Sequence, residues 1–403
     1  MAAYRTIIHL DLDAFFCAIE EQRDPSLRGK PFAVGGRPEG RGVVASASYA
    51  ARQFGVRSAI PMAHAVRMCP RLIVVPPNFS AYRAASQQVM ERLYVLTPLV
   101  EQISIDEAFL DVTVLGEPGY TLATRLQAAI RDELGLSCSL GVATNKLVAK
   151  VATDVGKGMA RSGKMPFAIC EVPPSREAEF LAPLPTSALW GVGPKTAERL
   201  AELGIQTIGA IAAWPAADLA RRFGHHGEDL ARRARGIDER PIVTERAAKS
   251  ISQETTFAQD VHDRALLERI ITQQATEIAQ KLRRNDLMGS TVKLKIRWPD
   301  FTTPTRQLTL TQPTDDEEQI TEAALRLFQQ IWPDGQPVRL IGVGISGLGA
   351  PPRQLSLWDI PAPPSPDDLA RRERVQATLA AIQARFGRGA VRRASELDDR
   401  PES

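Results

Sequence analysis

The sequence has little that would tie it together covalently or set it in a membrane. It has only four cysteines, Cys17, Cys69, Cys138 and Cys170, with no Cys-x-x-Cys pair and no histidine at ligand spacing. A zinc site and a disulfide framework are thereby excluded, and a reducing cytoplasm is the expected compartment. No run approaches the roughly 18 apolar residues of a membrane span. The first ten residues lack the apolar core and small-residue cleavage site of a secretory signal, and Thr6-Ile-Ile-His-Leu10 reads as a strand instead. Aromatic residues make up only 6%, no internal repeat is visible, and neither sign of charge dominates: 50 Lys and Arg against 47 Asp and Glu leave +3. That balance permits a nucleic-acid partner without arguing for one. What remains, 44% hydrophobic and 24% charged residues over 403 positions, is the composition of a soluble globular chain of two to four domains.

Three composition breaks divide it: Glu171-Val-Pro-Pro-Ser175, the polar connector from Arg240-Pro241 to Ser250, and Gly349-Ala-Pro-Pro-Arg353, which opens a Pro-rich stretch. Before the first break, strand-like runs (Ile7–Leu10, Phe32–Val34, Gly42–Ala45, Leu72–Val75, Val100–Ile105, Cys138–Val142) alternate with helical stretches, which predicts an α+β or α/β region. Residues 176–240 read as short helices broken at Gly191, Gly193, Gly204 and Gly224. Residues 251–349 alternate helix and strand, with Val292-Lys-Leu-Lys-Ile-Arg297 strictly period-two. Beyond 370, Val375, Leu379, Ile382 and Phe386 fall on one helical face, for which the sequence suggests no role.

The sharpest chemical signal is a pair of acidic strand ends. Asp11-Leu-Asp13 follows the apolar strand, and Ile103-Ser-Ile-Asp-Glu-Ala-Phe-Leu-Asp111 repeats the pattern a hundred residues on. Asp106 and Glu107 would point to opposite faces of a straight strand, so for both to serve one site the chain must read strand, turn, strand. Carboxylates gathered in one place repel, and one takes up a proton near neutral pH unless a cation intervenes. An all-oxygen donor set suits Mg²⁺. Two such ions can stabilise both the entering and the leaving oxygen of an in-line phosphoryl displacement. The Asp-x-Asp alone also suits the aspartyl nucleophile of a haloacid-dehalogenase-type phosphatase, although Ala14-Phe15-Phe16 follows it here.

Two stretches supply cations. In Ser48-Tyr-Ala-Ala-Arg-Gln-Phe-Gly55, Tyr49 and Arg52 share a helix face, a phenol and a guanidinium suited to phosphate oxygens. In Thr144-Asn-Lys-Leu-Val-Ala-Lys-Val-Ala-Thr-Asp-Val-Gly-Lys157, with Thr144 as N-cap, Lys146, Lys150 and Lys157 fall within about 40° of one another around the helix axis. Leu147, Val148, Val151 and Val155 occupy the other side.

Together these residues closely resemble the Y-family translesion DNA polymerases of the DinB type, over about residues 5–350. The resemblance rests on Asp-Leu-Asp-Ala-Phe-Phe (11–16), Ser-Tyr-Ala-Ala-Arg with Phe-Gly-Val (48–56), Ser-Ile-Asp-Glu-Ala-Phe-Leu-Asp (104–111) and Gly-Val-Ala-Thr-Asn-Lys-Leu-Val-Ala-Lys (141–150). Gly-Val-Gly (191–193) and Lys-Ser-Ile (249–251) follow in order. The resemblance implies an α+β, right-handed polymerase: a palm at 1–16 and 78–172, fingers at 17–77, a helical thumb at 173–240, a linker at 241–250 and an α/β little finger at 251–349. Asp11, Asp106, Glu107 and the Leu12 carbonyl would hold two Mg²⁺ ions. Ser46, Tyr49, Arg52 and Lys157 would meet the triphosphate of an incoming deoxynucleotide, with Arg161 or Lys164 as substitutes for Lys157. Phe16 would be the steric gate against a ribose 2′-hydroxyl, and Phe15 would pack in the palm or under the nucleotide.

Leu189-Trp-Gly-Val-Gly-Pro-Lys-Thr-Ala-Glu-Arg-Leu-Ala-Glu-Leu-Gly204 reads as a helix–hairpin–helix whose Gly191 and Gly193 let backbone N–H groups meet a DNA phosphate. Lys146 and Lys150, and the row Lys293, Lys295 and Arg297 on one strand face, would add further DNA contacts. Gln354-Leu355-Ser-Leu357-Trp358 resembles the short peptide with which bacterial polymerases grip the sliding clamp. The implied activity is template-directed, error-prone synthesis on primer–template DNA by a monomer with no proofreading site. The alternative from another class is a non-catalytic DNA- and clamp-binding relative; a phosphohydrolase would leave the hairpin and the clamp-like peptide unexplained.

Overall fold

The computed structural model describes residues 4–159 and 165–350, together with four separate helical positions, Arg374, Thr378, Ala381 and Arg385. Arg161, Lys164, the apolar face Val375–Phe386 and the clamp-like segment 354–358 lie outside the described residues.

The first half runs β1 (Ile7–Leu12), α1 (Phe15–Arg23), β2 (Phe32–Gly35), β3 (Val44–Ala47), α2 (Tyr49–Arg52), α3 (Met62–Met68), β4 (Ile73–Val75), α4 (Phe79–Leu96), β5 (Val100–Gln102), β6 (Glu107–Asp111), α5 (Gly119–Leu134), β7 (Cys138–Ala143), α6 (Lys146–Gly158) and β8 (Ile169–Glu171). Two sheets result, one ordered β5-β6-β1-β7-β8 and a small one ordered β3-β2-β4. The strand expected at Gly42–Ala45 begins two residues later, because Val43 forms only an isolated bridge to Pro61.

β1 is the central strand, and its period-two alternation splits it between two cores. Ile8, Leu10 and Leu12 pack under α4 and α5, while Ile7 joins Phe109 against α6. His9 and Asp11 therefore share the α6 side. At Ala14 the chain adopts a left-handed φ of 47°, an uncommon conformation for alanine, and this sharp exit from β1 starts α1 directly behind the acidic strand end.

The helical segment α7 (Glu177–Leu181), α8 (Pro194–Glu202), α9 (Ile208–Ala213), α10 (Ala216–Phe223) and α11 (His225–Ala234) shares the apolar core of α6. α6 is thus sandwiched between the sheet and these helices. Its N-cap is Asn145, not Thr144: the Asn145 side chain accepts from Val148 N, while the Thr144 hydroxyl is taken by Glu177. Lys146, expected on a DNA-facing surface, is instead only 4% exposed and donates to Glu101 Oε2 at 2.7 Å and to Pro241 O at 2.8 Å. Burial of both helix faces overrides the amphipathic pattern. Lys146→Ala leaves the buried Glu101 carboxylate without its counter-charge and with only the Val243 N–H on Oε2, and thermal or denaturant unfolding should register a loss of about 3 kcal/mol. An unchanged midpoint would show that Glu101 finds compensation elsewhere.

The last unit comprises β9 (Ser250–Val261), α12 (Arg264–Arg284), β10 (Gly289–Arg297), β11 (Thr305–Thr314), α13 (Glu317–Ile331) and β12 (Val338–Ser346). Its antiparallel sheet is ordered β11-β10-β12-β9, with both helices packed on one face. Val292, Leu294 and Ile296 are buried on that face, and Lys293, Lys295 and Arg297 lie on the other. All four cysteines are free, and no helix among the described residues is long and apolar enough to cross a membrane.

Candidate active site

The two acidic strand ends meet. In the antiparallel β1–β6 pairing Asp11 stands directly opposite Glu107, and Leu12 N donates to Asp106 O at 3.0 Å. Between β5 and β6 the chain turns at Ser104, whose hydroxyl accepts from the backbone of Asp106 and Glu107 and donates to Asp106 Oδ1 at 2.5 Å. The expected strand–turn–strand is what presents both carboxylates at one edge. A cavity of about 570 Å³ opens beside this turn, lined by Arg83, Gln102, Ser104 and Ile105 among others.

α6 lays its remaining lysines over these acids. Lys150 Nζ donates to Glu107 Oε2 at 2.9 Å; Lys157 contacts Asp11 and lies 3.5 Å from Asp13 Oδ1. Lys150 is therefore part of the acidic site and is not a DNA-facing cation as expected. Asp13 is fully buried and takes bonds from Ser137 and Ser139, which makes it a brace for the strand end.

Burial, reinforced by Glu107 and Asp106, raises the Asp11 pKa to about 7 against the opposing pull of Lys157. At Glu107 burial also disfavours the charge, but His9 and Lys150 bring its pKa down to about 2. Among the described residues no three acidic, histidine or cysteine side chains converge as a ready-made metal cage. Asp106 takes the Ser104 hydroxyl, while Asp11 and Glu107 turn to the ammonium groups of Lys157 and Lys150, which stand in for a positive charge there. An oxygen-only donor set beside such stand-ins fits a hard divalent cation.

Tyr49 and Arg52 sit together on α2, with Arg52 Cζ 4.6 Å from the Tyr49 ring centroid and Arg52 Nε donating to Ala47 O. Burial, with Asp13 and Asp11 nearby, pushes the Tyr49 phenol above its ordinary pKa. Ser46, on β3, is buried, its hydroxyl accepting from the Cys17 thiol. Phe16 is half-buried and stacks on Tyr82, ring centroids 4.3 Å apart. Phe15, expected in the palm or under a nucleotide, is 2% exposed and belongs to the core. It is no nucleotide contact, because the first turn of α1 directs it inward.

Gly191 adopts φ +95° and Gly193 precedes α8 as its N-cap, the tight turn that the hairpin reading required. On the last sheet Lys293 is exposed, Lys295 is paired with Glu254 at 2.8 Å, and Arg297 donates to Thr303. Lys293 and Lys295 border a groove of about 320 Å³ on the face opposite the helices.

The acidic strand ends thus lie side by side on the central sheet of an α+β chain. Residues 10–154 match the impB/mucB/samB family, residues 248–357 that family's C-terminal domain, and residues 174–205 the IMS family HHH motif. The chain is 40% identical over 391 residues to "DNA polymerase IV" of Dehalococcoides mccartyi (strain CBDB1), covering 96% of each. It is 43% identical over 355 residues to the "DNA polymerase IV" of Stenotrophomonas maltophilia (strain R551-3), covering 86% of this chain and 96% of the relative. A solved "Y-family DNA polymerase chimera Dbh-Dpo4(243-245)-Dbh" superposes with a TM-score of 0.75 at 25% identity, over 86% of this chain and 100% of that one. The chain belongs to the impB/mucB/samB family of Y-family DNA polymerases. It is a DNA-directed DNA polymerase of translesion synthesis, and the non-catalytic alternative is not favoured.

Sequence reasoning missed His9 and Thr153, and it named Asp13 among the acidic strand ends without giving it the bracing role. A signal existed for the first: His9 lies two residues before Asp11 and so shares its strand face. Thr153 carried none, since its partner is distant in sequence.

Proposed function

We propose that Asp11, Asp106, Glu107 and the Leu12 carbonyl hold two Mg²⁺ ions and that this edge of the sheet joins a deoxynucleotide to a primer 3′-hydroxyl. The observation that carries the reading is the placement of Asp11 opposite Glu107, with Asp106 beside them and Lys157, Lys150 and Tyr49 around them. When bound, the ions supply acidification of the primer hydroxyl and neutralisation of the charge that develops on the leaving pyrophosphate. Lys157, released from Asp11, joins Arg52 and Tyr49 in binding the triphosphate of the incoming deoxynucleotide, with Ser46 at the base of that cradle. Ser104 fixes Asp106 before substrate arrives, and Ser137 and Ser139 brace, through Asp13, the strand end that carries Asp11.

We assign 1–16 and 78–172 to the palm, 17–77 to the fingers, 173–240 to the thumb, 241–250 to the linker and 251–349 to the little finger. Primer–template DNA is held through phosphates by the Gly191–Gly193 turn and by Lys293, Lys295 and Arg297, contacts indifferent to base sequence. The sliding clamp is proposed as a protein partner on the sequence of residues 354–358 alone.

Primer extension on undamaged and lesion-bearing templates tests this reading. Chelation of divalent metal should stop synthesis on both and Mg²⁺ should restore it. Lys157→Ala should raise the deoxynucleotide KM by about 10-fold or more, the worth of a lost charge-assisted contact of about 1.5–3 kcal/mol. Synthesis that persists in chelator would overturn the metal assignment, and an unchanged KM would remove Lys157 from the cradle.

A further inference from the structure

His9 is among the buried polar side chains that this mechanism leaves unused. His9 is fully buried on the α6 side of β1, with Phe109 of the neighbouring strand tilted against its ring at 4.7 Å. Its Nδ1 lies 2.9 Å from the hydroxyl of Thr153, itself fully buried. Its Nε2 stands 3.8 Å from Glu107 Oε2, beyond a formed hydrogen bond, and has no other partner. A buried polar nitrogen without a partner is costly, so its direction calls for an account.

The tautomer follows from electrostatics. The Thr153 hydroxyl lies 2.9 Å from Nδ1, 3.1 Å from Ala149 O and 3.3 Å from His9 O; with its hydrogen on the shortest of these contacts, to Nδ1, the ring hydrogen sits on Nε2 and faces the Glu107 carboxylate as a donor. The opposite tautomer would set a lone pair against that negative charge in a buried site, where such repulsion is poorly screened. The threonine reaches the ring because Gly141, paired with His9 across β1 and β7, has no side chain. A Cβ there would lie 1.9 Å from Ala149 O and 2.7 Å from Thr153 Oγ1, so α6 could not come so close.

We propose that His9, held as its Nε2–H tautomer by Thr153, is a positioning residue for Glu107: it closes onto Oε2 as that carboxylate turns from Lys150 toward a divalent cation, leaving Oε1 free to ligate. The inference rests on the reading of Glu107 as a metal ligand. Partners of this kind orient the oxygens a metal uses and limit the freedom lost on binding.

The test is Mn²⁺ binding to the full-length protein without DNA or nucleotide, followed by the electron paramagnetic resonance of free Mn²⁺. His9→Leu and Thr153→Val should each weaken binding by about 10-fold or more, the usual effect of losing such a partner. His9→Gln, whose amide can offer an N–H near the Nε2 position, and Thr153→Ser should recover most of the loss. Nitrogen-15 NMR should show the wild-type ring protonated on Nε2, a signature that simple packing would not require. Thr153→Val, nearly isosteric, keeps the inference testable if His9→Leu fails to fold. Unchanged Mn²⁺ affinity in Glu107→Gln would overturn the metal reading, and this inference with it. Weakened binding in Glu107→Gln beside wild-type affinity in His9→Leu and Thr153→Val, or a wild-type ring protonated on Nδ1, would overturn the role of His9 alone.

Discussion

Asp106→Ala should lower Mg²⁺-dependent primer extension by at least about 10³-fold, the scale on which single charge-stabilising groups act in phosphoryl and acyl transfer. Asp106 is the most informative of the three acids to remove. Asp11 and Glu107 are each engaged by a lysine, so their loss also releases Lys157 or Lys150. Asp106 is held by its own turn, through Ser104, and its backbone carbonyl, which accepts from Leu12 N, survives the substitution. The β1–β6 pairing should therefore persist, with an unchanged unfolding midpoint. Primer–template affinity should hold at wild-type strength or rise slightly, since one negative charge leaves a surface that meets phosphates. Stopped-assay primer extension beside an equilibrium DNA-binding measurement separates the two effects. Extension at the wild-type rate would remove Asp106 from the reaction, and equal loss of extension and binding would recast it as a structural residue.

Phe16→Ala should admit ribonucleotides, narrowing the preference for deoxynucleotides by about 100-fold, since forcing an extra group into a filled site costs up to about 3 kcal/mol. The structure gives the ring a reason to stand firm. Phe16 stacks on Tyr82 at 4.3 Å and meets Phe79 edge-on at 6.0 Å, while the Tyr82 hydroxyl is tied to Glu20 Oε1 at 2.6 Å. A ring held by two neighbours cannot swing away from a 2′-hydroxyl at low cost, whereas alanine leaves a hole of matching shape. Single-nucleotide incorporation of paired deoxy- and ribonucleotides reads the effect as a ratio of kcat/KM values. A variant that still rejects ribonucleotides would place the gate elsewhere. Tyr82→Phe offers a finer comparison: it keeps the stack and removes only the tie to Glu20, so it should change the ratio far less than Phe16→Ala.

Much of the site is legible without coordinates. The two acidic strand ends, the turn between Ile103 and Glu107, the Tyr49–Arg52 pair and the period-two row on β10 are local patterns, and local patterns survive folding when nothing longer-ranged opposes them. The lysines of α6 are where that reading fails. They do share a face, but a helix whose one side is apolar and other side cationic is ordinarily half in water. Here α7–α11 cover the apolar side and the sheet takes the other, so Lys146 is buried on Glu101 and Lys150 and Lys157 lie on the acidic strand ends. Phe15 and Phe16 show the same limit at closer range. Adjacent rings in one motif are indistinguishable in sequence, and only the first turn of α1, entered through the left-handed Ala14, sends one into the core and leaves the other half-exposed.

The chain by itself determined its strand and helix periods, its sharp turns and the identity of the acids, because these depend on neighbours one to four residues away. Only the tertiary structure decided what each face meets. His9 faces Glu107 through the β1–β6 register, and Thr153 reaches His9 because Gly141 lets α6 approach the sheet. Such contacts join residues far apart in the chain, and close packing, for which no local pattern stands proxy, selects them.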